Sequence, residues 1–130
     1  MLSLLLKYQP GAVCFQGPDR FPSDLRWVGN EDGIAPSDCW STANAAYKST
    51  GGDAFFPVNG KGDPVGKIWA PAETDMPNRR HSAYEGGWFW KKGQDEFLFT
   101  KDELVERYYS SVGRNTNLLL GMVIDDRGLV

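Results

Sequence analysis

The sequence is poor in the residues that do metal and thiol chemistry. It has one histidine, His81, and two cysteines, Cys14 and Cys39, in 130 residues. A lone histidine without partners at ligand spacing builds no zinc site, and two cysteines make neither a disulfide framework nor a metal motif. Both cysteines lie in apolar surroundings. Buried reduced thiols are the expectation, with a single disulfide between them as the other reading. No serine stands in a Gly-x-Ser-x-Gly elbow, so nothing points to a serine triad. An excess of positive charge is also missing, with 14 Lys and Arg against 17 Asp and Glu. The net charge of −3 leaves no footprint for nucleic acid or an anionic membrane.

Long apolar runs are missing too. None approaches the roughly 20 residues of a membrane helix. Leu2, Leu4, Leu5 and Leu6 lack the basic start and small-residue cleavage site of a signal peptide. They fit the last turn or two of an amphipathic helix that ends at Lys7-Tyr8-Gln9, before the Pro10-Gly11 turn. A helix that opens at residue 1 without a cap suggests a chain cut from something longer. Gly60 to Lys67 is only superficially a phosphate loop. Its glycine spacing is off by one, Pro64 intrudes, and Ile68 stands where Ser or Thr is required.

Aromatic residues and well-placed acids are what the chain does have. Leu25 to Val28 is an apolar, β-prone stretch that runs into Gly29-Asn30-Glu31-Asp32-Gly33. The glycines free the backbone to turn just after the strand. In α/β folds chemistry collects at the carboxyl ends of strands. Glu31, one step past such a strand, is therefore a candidate acid/base, and solvated turn acids are the plain alternative. Lys67 to Asp75 repeats the grammar: apolar strand, Pro71, then Glu73 and Asp75. Gly86-Gly87-Trp88-Phe89-Trp90 adds an aromatic cluster. Carboxylates with tryptophans suit a sugar: the acids serve the glycosidic oxygen and the rings cover the C–H face. Core packing is the plain alternative for each tryptophan.

Taken in order, the remaining pattern predicts a buried strand at Ala12 to Phe15 and a short extended piece at Cys39 to Thr42. A long glycine-rich surface loop follows from Ala43 to Gly66, and a strand opens at Ile68-Trp69. Asp75 to Glu85, with Arg79, Arg80 and His81, is expected as a solvated rim. Trp88 to Trp90 is expected as a strand or strand edge, and Lys91 to Phe99 as a charged connector. Lys101 to Val112 is the clearest helix. Thr100 and Glu103 form a capping box, and Leu104, Val105, Tyr108, Tyr109 and Val112 form one apolar stripe. Gly113 is the expected stop, followed by a buried strand at Leu118 to Leu120. Continuous apolar strands with acids at their ends point to a parallel barrel or a doubly wound sheet. A complete (β/α)8 barrel needs about 250 residues, roughly twice this length.

Five segments in this order carry a family resemblance: Arg26 to Gly33, Cys39 to Thr42, Ile68 to Asp75, Gly87 to Trp90, and Tyr109 to Leu120. Together they resemble the later part of the catalytic domain of the α-L-fucosidases of glycoside hydrolase family 29. The likeness covers nearly the whole chain. It implies an α/β fold, the C-terminal part of a (β/α)8 TIM-like barrel incomplete at both ends. Residues 1–130 would be the second half of the barrel, a partial catalytic domain.

The resemblance further implies a retaining mechanism, in which the two carboxyls lie about 5–5.5 Å apart. The acid/base of the Trp-Val-Gly-Asn-Glu motif falls on Glu31. The aspartate nucleophile belongs to an earlier strand in a Trp-Phe/Leu-Asp-Gly context, and no such motif occurs here. The histidines that grip fucose also belong to the missing half. Arg26 is the candidate for holding a sugar hydroxyl or orienting a carboxylate, with a buried ion pair as the alternative. Glu73 would bond substrate or support the site, Trp88 would wall the fucose methyl, and Trp40 is a further aromatic candidate. No cofactor or metal is implied, since a carboxylate pair needs none. The implied partners are a fucosylated oligosaccharide or glycoconjugate and the missing N-terminal half. Family members commonly work in the periplasm or are secreted, and this chain carries no signal. The 130 residues alone are expected to show little or no activity. The second functional reading is a carbohydrate-binding remnant that has lost the chemistry.

Overall fold

The computed structural model describes residues 2–13, 25–43 and 60–130. The predicted strand at Ala12 to Phe15, Cys14 included, and most of the Ala43 to Gly66 loop lie largely outside these residues. Helix α1 covers Leu2–Tyr8, as the leucine run implied. Leu4, Leu5 and Leu6 on it are exposed.

The centre of the fold is a three-stranded parallel sheet in the order β1-β4-β5. Strand β1 is Arg26–Trp27, β4 is Ala72–Pro77 and β5 is Thr116–Gly121. A separate antiparallel pair joins β2, Thr42–Ala43, to β3, Ile68–Trp69. Here the structure departs from the sequence reading. Ile68 and Trp69 do not open the strand that delivers Glu73 and Asp75. The chain bends at Ala70-Pro71, and the acids lie within β4 rather than in a loop beyond it. Alternation is the reason. Ala72, Thr74 and Met76 are buried on one face, and Glu73 and Asp75 stand half-buried on the other. Register carries the pattern across the sheet: Glu73 pairs with Trp27 and Asn117, and Asp75 pairs with Leu119.

The solvated rim expected from Asp75 onward is also corrected. Strand β4 continues through Pro77, and Asn78 and Arg79 behind it are buried. Asn78 extends the ladder by donating its N–H to Gly121 O and accepting that of Phe99. The Trp88 to Trp90 strand is absent. Just ahead of these residues Tyr84–Gly87 forms a tight 3-10 turn in which Glu85, Gly86 and Gly87 all have positive φ. Trp88 caps that turn with helical rather than extended backbone angles, so no strand starts there. A second such turn occupies Asp95–Phe97 within the charged connector.

Helix α2 spans Lys101–Ser111. The Thr100–Glu103 capping box is present in both directions, satisfying helix-terminal donors. The α-helix ends at Ser111 with Val112 as its C-cap, just ahead of the expected stop at Gly113. The helix tightens through Val112–Arg114, and Asn115 takes the left-handed position at φ 65°. Asparagine tolerates that region because its short amide bonds locally, and here Asn115 Nδ2 donates to Cys39 O and Ser41 Oγ. Of the predicted stripe, Val105, Tyr108 and Tyr109 are exposed, while small Ser111 is fully buried. Val28, Cys39 and Ala72 form an apolar cluster. Cys39 is a free thiol. No helix among the described residues is long and apolar enough to cross a membrane.

Candidate active site

Parallel strands place all their following loops at one end of a sheet. The loop after β1 carries Glu31, and the segment after β4 carries His81 and Trp88. These meet. Trp88 Nε1 donates to Glu31 Oε2 at 2.8 Å. His81 Nε2 lies 3.0 Å from the main-chain oxygen of Glu31 and 3.3 Å from Asp32 Oδ1. A carbonyl oxygen only accepts, so Nε2 carries the proton in this arrangement. The acid loop is thus gripped twice from the β4 side, once at the carboxylate and once at the backbone.

The loop is also stiff by itself. Asn30 Oδ1 accepts the Asp32 N–H, and Asn30 Nδ2 donates to Ile34 O, an asparagine turn of the kind that substitutes for regular backbone bonds. Gly33 sits at φ 67°, where a β-carbon would collide with Met76 of β4. Its N–H donates to Asp75 O at 3.1 Å. Trp88 is fixed by close approach to β5: a β-carbon on Gly121 would lie 2.5 Å from Trp88 Cζ3.

A second indole–carboxylate pair lies beside the first. Trp27 Nε1, at the end of β1, donates to Asp75 Oδ1 at 2.6 Å. Burial raises the Asp75 carboxyl above its ordinary value. The Trp27 bond pulls the other way, and the negative charge of Glu31 adds to the rise. Glu73, two residues earlier on the same face, is raised by burial and then by the charge of Asp75. Among the described residues no group of three or more histidine, cysteine or acidic side chains is arranged to hold a metal ion.

The other sequence candidates stand apart from this cluster. Arg26 is 3% exposed and points away from Trp27. Its guanidinium donates to Ala70 O and Gly60 O at 2.9 Å each, to Trp40 O, and to Cys39 Sγ. Those contacts brace the backbone of the β2–β3 region. Trp40 is exposed and accepts from Arg26 through its carbonyl. The structure therefore brings together Glu31 and Trp88, sets Glu73 on the adjoining strand face, and leaves Arg26 and Trp40 on the far side. Asp75, His81 and Trp27 are the members the sequence reading did not single out. For Asp75 the signal was present: Ala72-Glu73-Thr74-Asp75-Met76 alternates as a strand should.

Acids clasped by indole N–H groups at the carboxyl end of a parallel sheet suit carbohydrate chemistry. Comparison with known proteins gives this class a name. The chain is similar, over nearly its whole length, to the α-L-fucosidases of glycoside hydrolase family 29. It is 37% identical over 130 residues to Alpha-L-fucosidase 1 of Arabidopsis thaliana, a match covering 98% of this chain and 23% of that protein. A glycoside hydrolase 29 family member from an unknown rumen bacterium superposes with a TM-score of 0.76 at 32% identity, covering 99% of this chain and 21% of the other. A Ruminococcus gnavus GH29 fucosidase solved in complex with fucose gives a TM-score of 0.61 at 30% identity, covering 83% and 20%. The chain spans less than a quarter of the length of these relatives. No protein-family model matches it.

Proposed function

We propose that this chain is the segment of a retaining α-L-fucosidase that supplies the general acid/base, acting on terminal α-L-fucose of fucosylated glycans. The observation that carries the reading is the clasp on Glu31. A carboxylate on a strand-end loop, oriented by Trp88 and held at its backbone by His81, is built to deliver a proton in one direction. In the first step Glu31 protonates the departing glycosidic oxygen while an aspartate attacks the anomeric carbon. In the second, Glu31 takes a proton from the water that releases fucose. The nucleophile lies outside these 130 residues, within the half barrel that completes the fold. Trp88 lines the sugar, and Glu73 bonds substrate or supports the acids from β4. Arg26 serves by bracing the loops behind β1.

The purified chain, assayed on an aryl α-L-fucoside with Glu31→Gln as control, tests this. The expected result is a folded chain without turnover. Turnover abolished by Glu31→Gln would show that the chain contains or assembles a complete site, against the missing nucleophile. The carbohydrate-binding remnant is favoured only if fucose binds to the chain and Glu31→Gln leaves the binding intact.

A further inference from the structure

Arg79, just past the end of β4, is 3% exposed and has no counter-charge among the described residues. Its backbone is held on two sides. It bridges Leu98 in antiparallel fashion, and a β-carbon on Gly87 would lie 2.8 Å from its carbonyl oxygen. The residue cannot swing out to solvent without breaking these contacts. A guanidinium carries five N–H donors. Among the described residues this one makes a single hydrogen bond, from Nη1 to Gln94 O at 3.2 Å, and its Nε is buried without an acceptor. Glu85, Asp95 and Glu96 stand nearby in sequence, yet none of them pairs with it. Arg80 beside it is the contrast: it pairs with Glu103 and donates to Leu98 O and Glu96 O. A buried charge is costly unless it is both paired and hydrogen-bonded.

We infer that Arg79 receives a carboxylate, an aspartate or glutamate side chain from the rest of the catalytic domain, docked across Nε and Nη2. This rests on the reading of the chain as a segment of a larger domain, and the chain spans less than a quarter of the length of its relatives. Shape and burial choose the ligand. With Nη1 on Gln94 O, the edge left is the Nε–Nη2 fork, which matches the two oxygens of a carboxylate. At 3% exposure the site suits a group that packs in place with a folded segment better than a solute that must come and go. The pair fastens the segment after β4 to the part of the domain that these residues lack. That segment carries His81 and Trp88, so the clasp on Glu31 is tied to completion of the fold.

Acetate is the probe for the carboxylate, with chloride at matched ionic strength as control. The Arg79 Nε–H resonance of the 130-residue chain, assigned through its own side-chain carbons, is followed by NMR. Acetate should shift it downfield to saturation, and chloride should not. Urea unfolding gives a second reading: acetate should raise the midpoint of the parent and leave that of Arg79→Met unmoved. A resonance that acetate does not move overturns the inference, and so does an Arg79→Met variant that gains as much as the parent. The resonance is read in the parent, so the test stands even if Arg79→Met fails to fold. The source is tested by placing the chain in the corresponding segment of Arabidopsis thaliana Alpha-L-fucosidase 1. There the domain's own carboxylate should fill the fork, so that acetate adds nothing and Arg79→Met lowers the midpoint more than it does in the isolated chain. A chimera that still gains from acetate through Arg79 overturns the assignment of the carboxylate to the domain. Fucose release by the same chimera is a separate reading. An inactive chimera with a filled fork counts against the proposed activity alone, and an active one with an open fork counts against this inference alone.

Discussion

Trp88 and Glu31 are 57 residues apart in sequence and 2.8 Å apart at the indole nitrogen and a carboxylate oxygen. The contact exists because Gly121 of β5 has no side chain. A β-carbon there would lie 2.5 Å from Cζ3 and 2.9 Å from Cε3 of Trp88. Gly121→Ala should therefore push the indole off Glu31 and cost about 1–3 kcal/mol of stability, the usual penalty for overpacking. Loss of the Trp88–Glu31 bond is read from the indole N–H resonance, and stability from urea unfolding. An unchanged indole resonance would mean that the ring adapts in place.

Arg26 is engaged with the backbone around it. It supplies several donors to backbone oxygens and is 3% exposed. Arg26→Met should leave buried carbonyls unpaired and lower stability by about 3 kcal/mol or more. Arg26→Lys should recover little, because an ammonium lacks the planar fork that reaches Ala70, Gly60 and Trp40 together. Chemical denaturation measures both. A lysine variant as stable as the parent would contradict this role.

The pH dependence of stability carries two opposite signatures. Asp75 is raised in the folded chain, above all by burial. The folded state then holds its proton longer than the unfolded state does, so stability falls as pH rises from the ordinary value of 3.8 through the raised folded value. Asp75→Asn should flatten that fall and gain relative to the parent toward neutral pH. Glu103 is lowered, first by the Thr100 backbone bond and then by its hydroxyl, with Arg80 contributing less. Its contribution is present above the ordinary value of 4.5 and is lost as pH drops through the lowered folded value. Melting temperatures across pH 2 to 8, roughly the span of carboxylate titration, separate the two.

Helix α2 depends on its cap. Thr100→Ala removes the acceptor for the Glu103 N–H and should cost about 1 kcal/mol. Thr100→Ser should keep most of it. Amide exchange at the first turn of α2 reads the loss locally.

Much of this was legible from residue patterns. The capping box fixed the start of α2, and apolar runs marked β1 and β5 as strands; the full burial expected of Leu118 to Leu120 is not met, since Leu119 is exposed and its neighbours are half-buried. Glu31 stood out because glycines flank a turn just past a strand. What stayed hidden depends on contacts between distant segments. Nothing local to Arg79-Arg80-His81 says that the imidazole reaches back to Glu31. Nor does Trp88-Phe89-Trp90 announce that Glu85, Gly86 and Gly87 coil left-handed ahead of it and turn Trp88 toward the acid. Asp75 was seen as a loop acid because Pro71 was taken to end a strand, when it precedes one. Arg26 stood as a candidate for holding a sugar hydroxyl or orienting a carboxylate, with a buried ion pair as the alternative, and its guanidinium bonds backbone oxygens.

Glu31 is the pivot of the functional reading. The most direct measurement places this chain in the corresponding segment of Arabidopsis thaliana Alpha-L-fucosidase 1, with and without Glu31→Gln, and follows release of fucose from a fucosylated oligosaccharide. A general acid/base predicts that the parent chimera hydrolyses the glycan and that Glu31→Gln lowers the rate by about 10²- to 10⁴-fold. Equal turnover from the two chimeras would place the proton donor elsewhere and contradict the assignment.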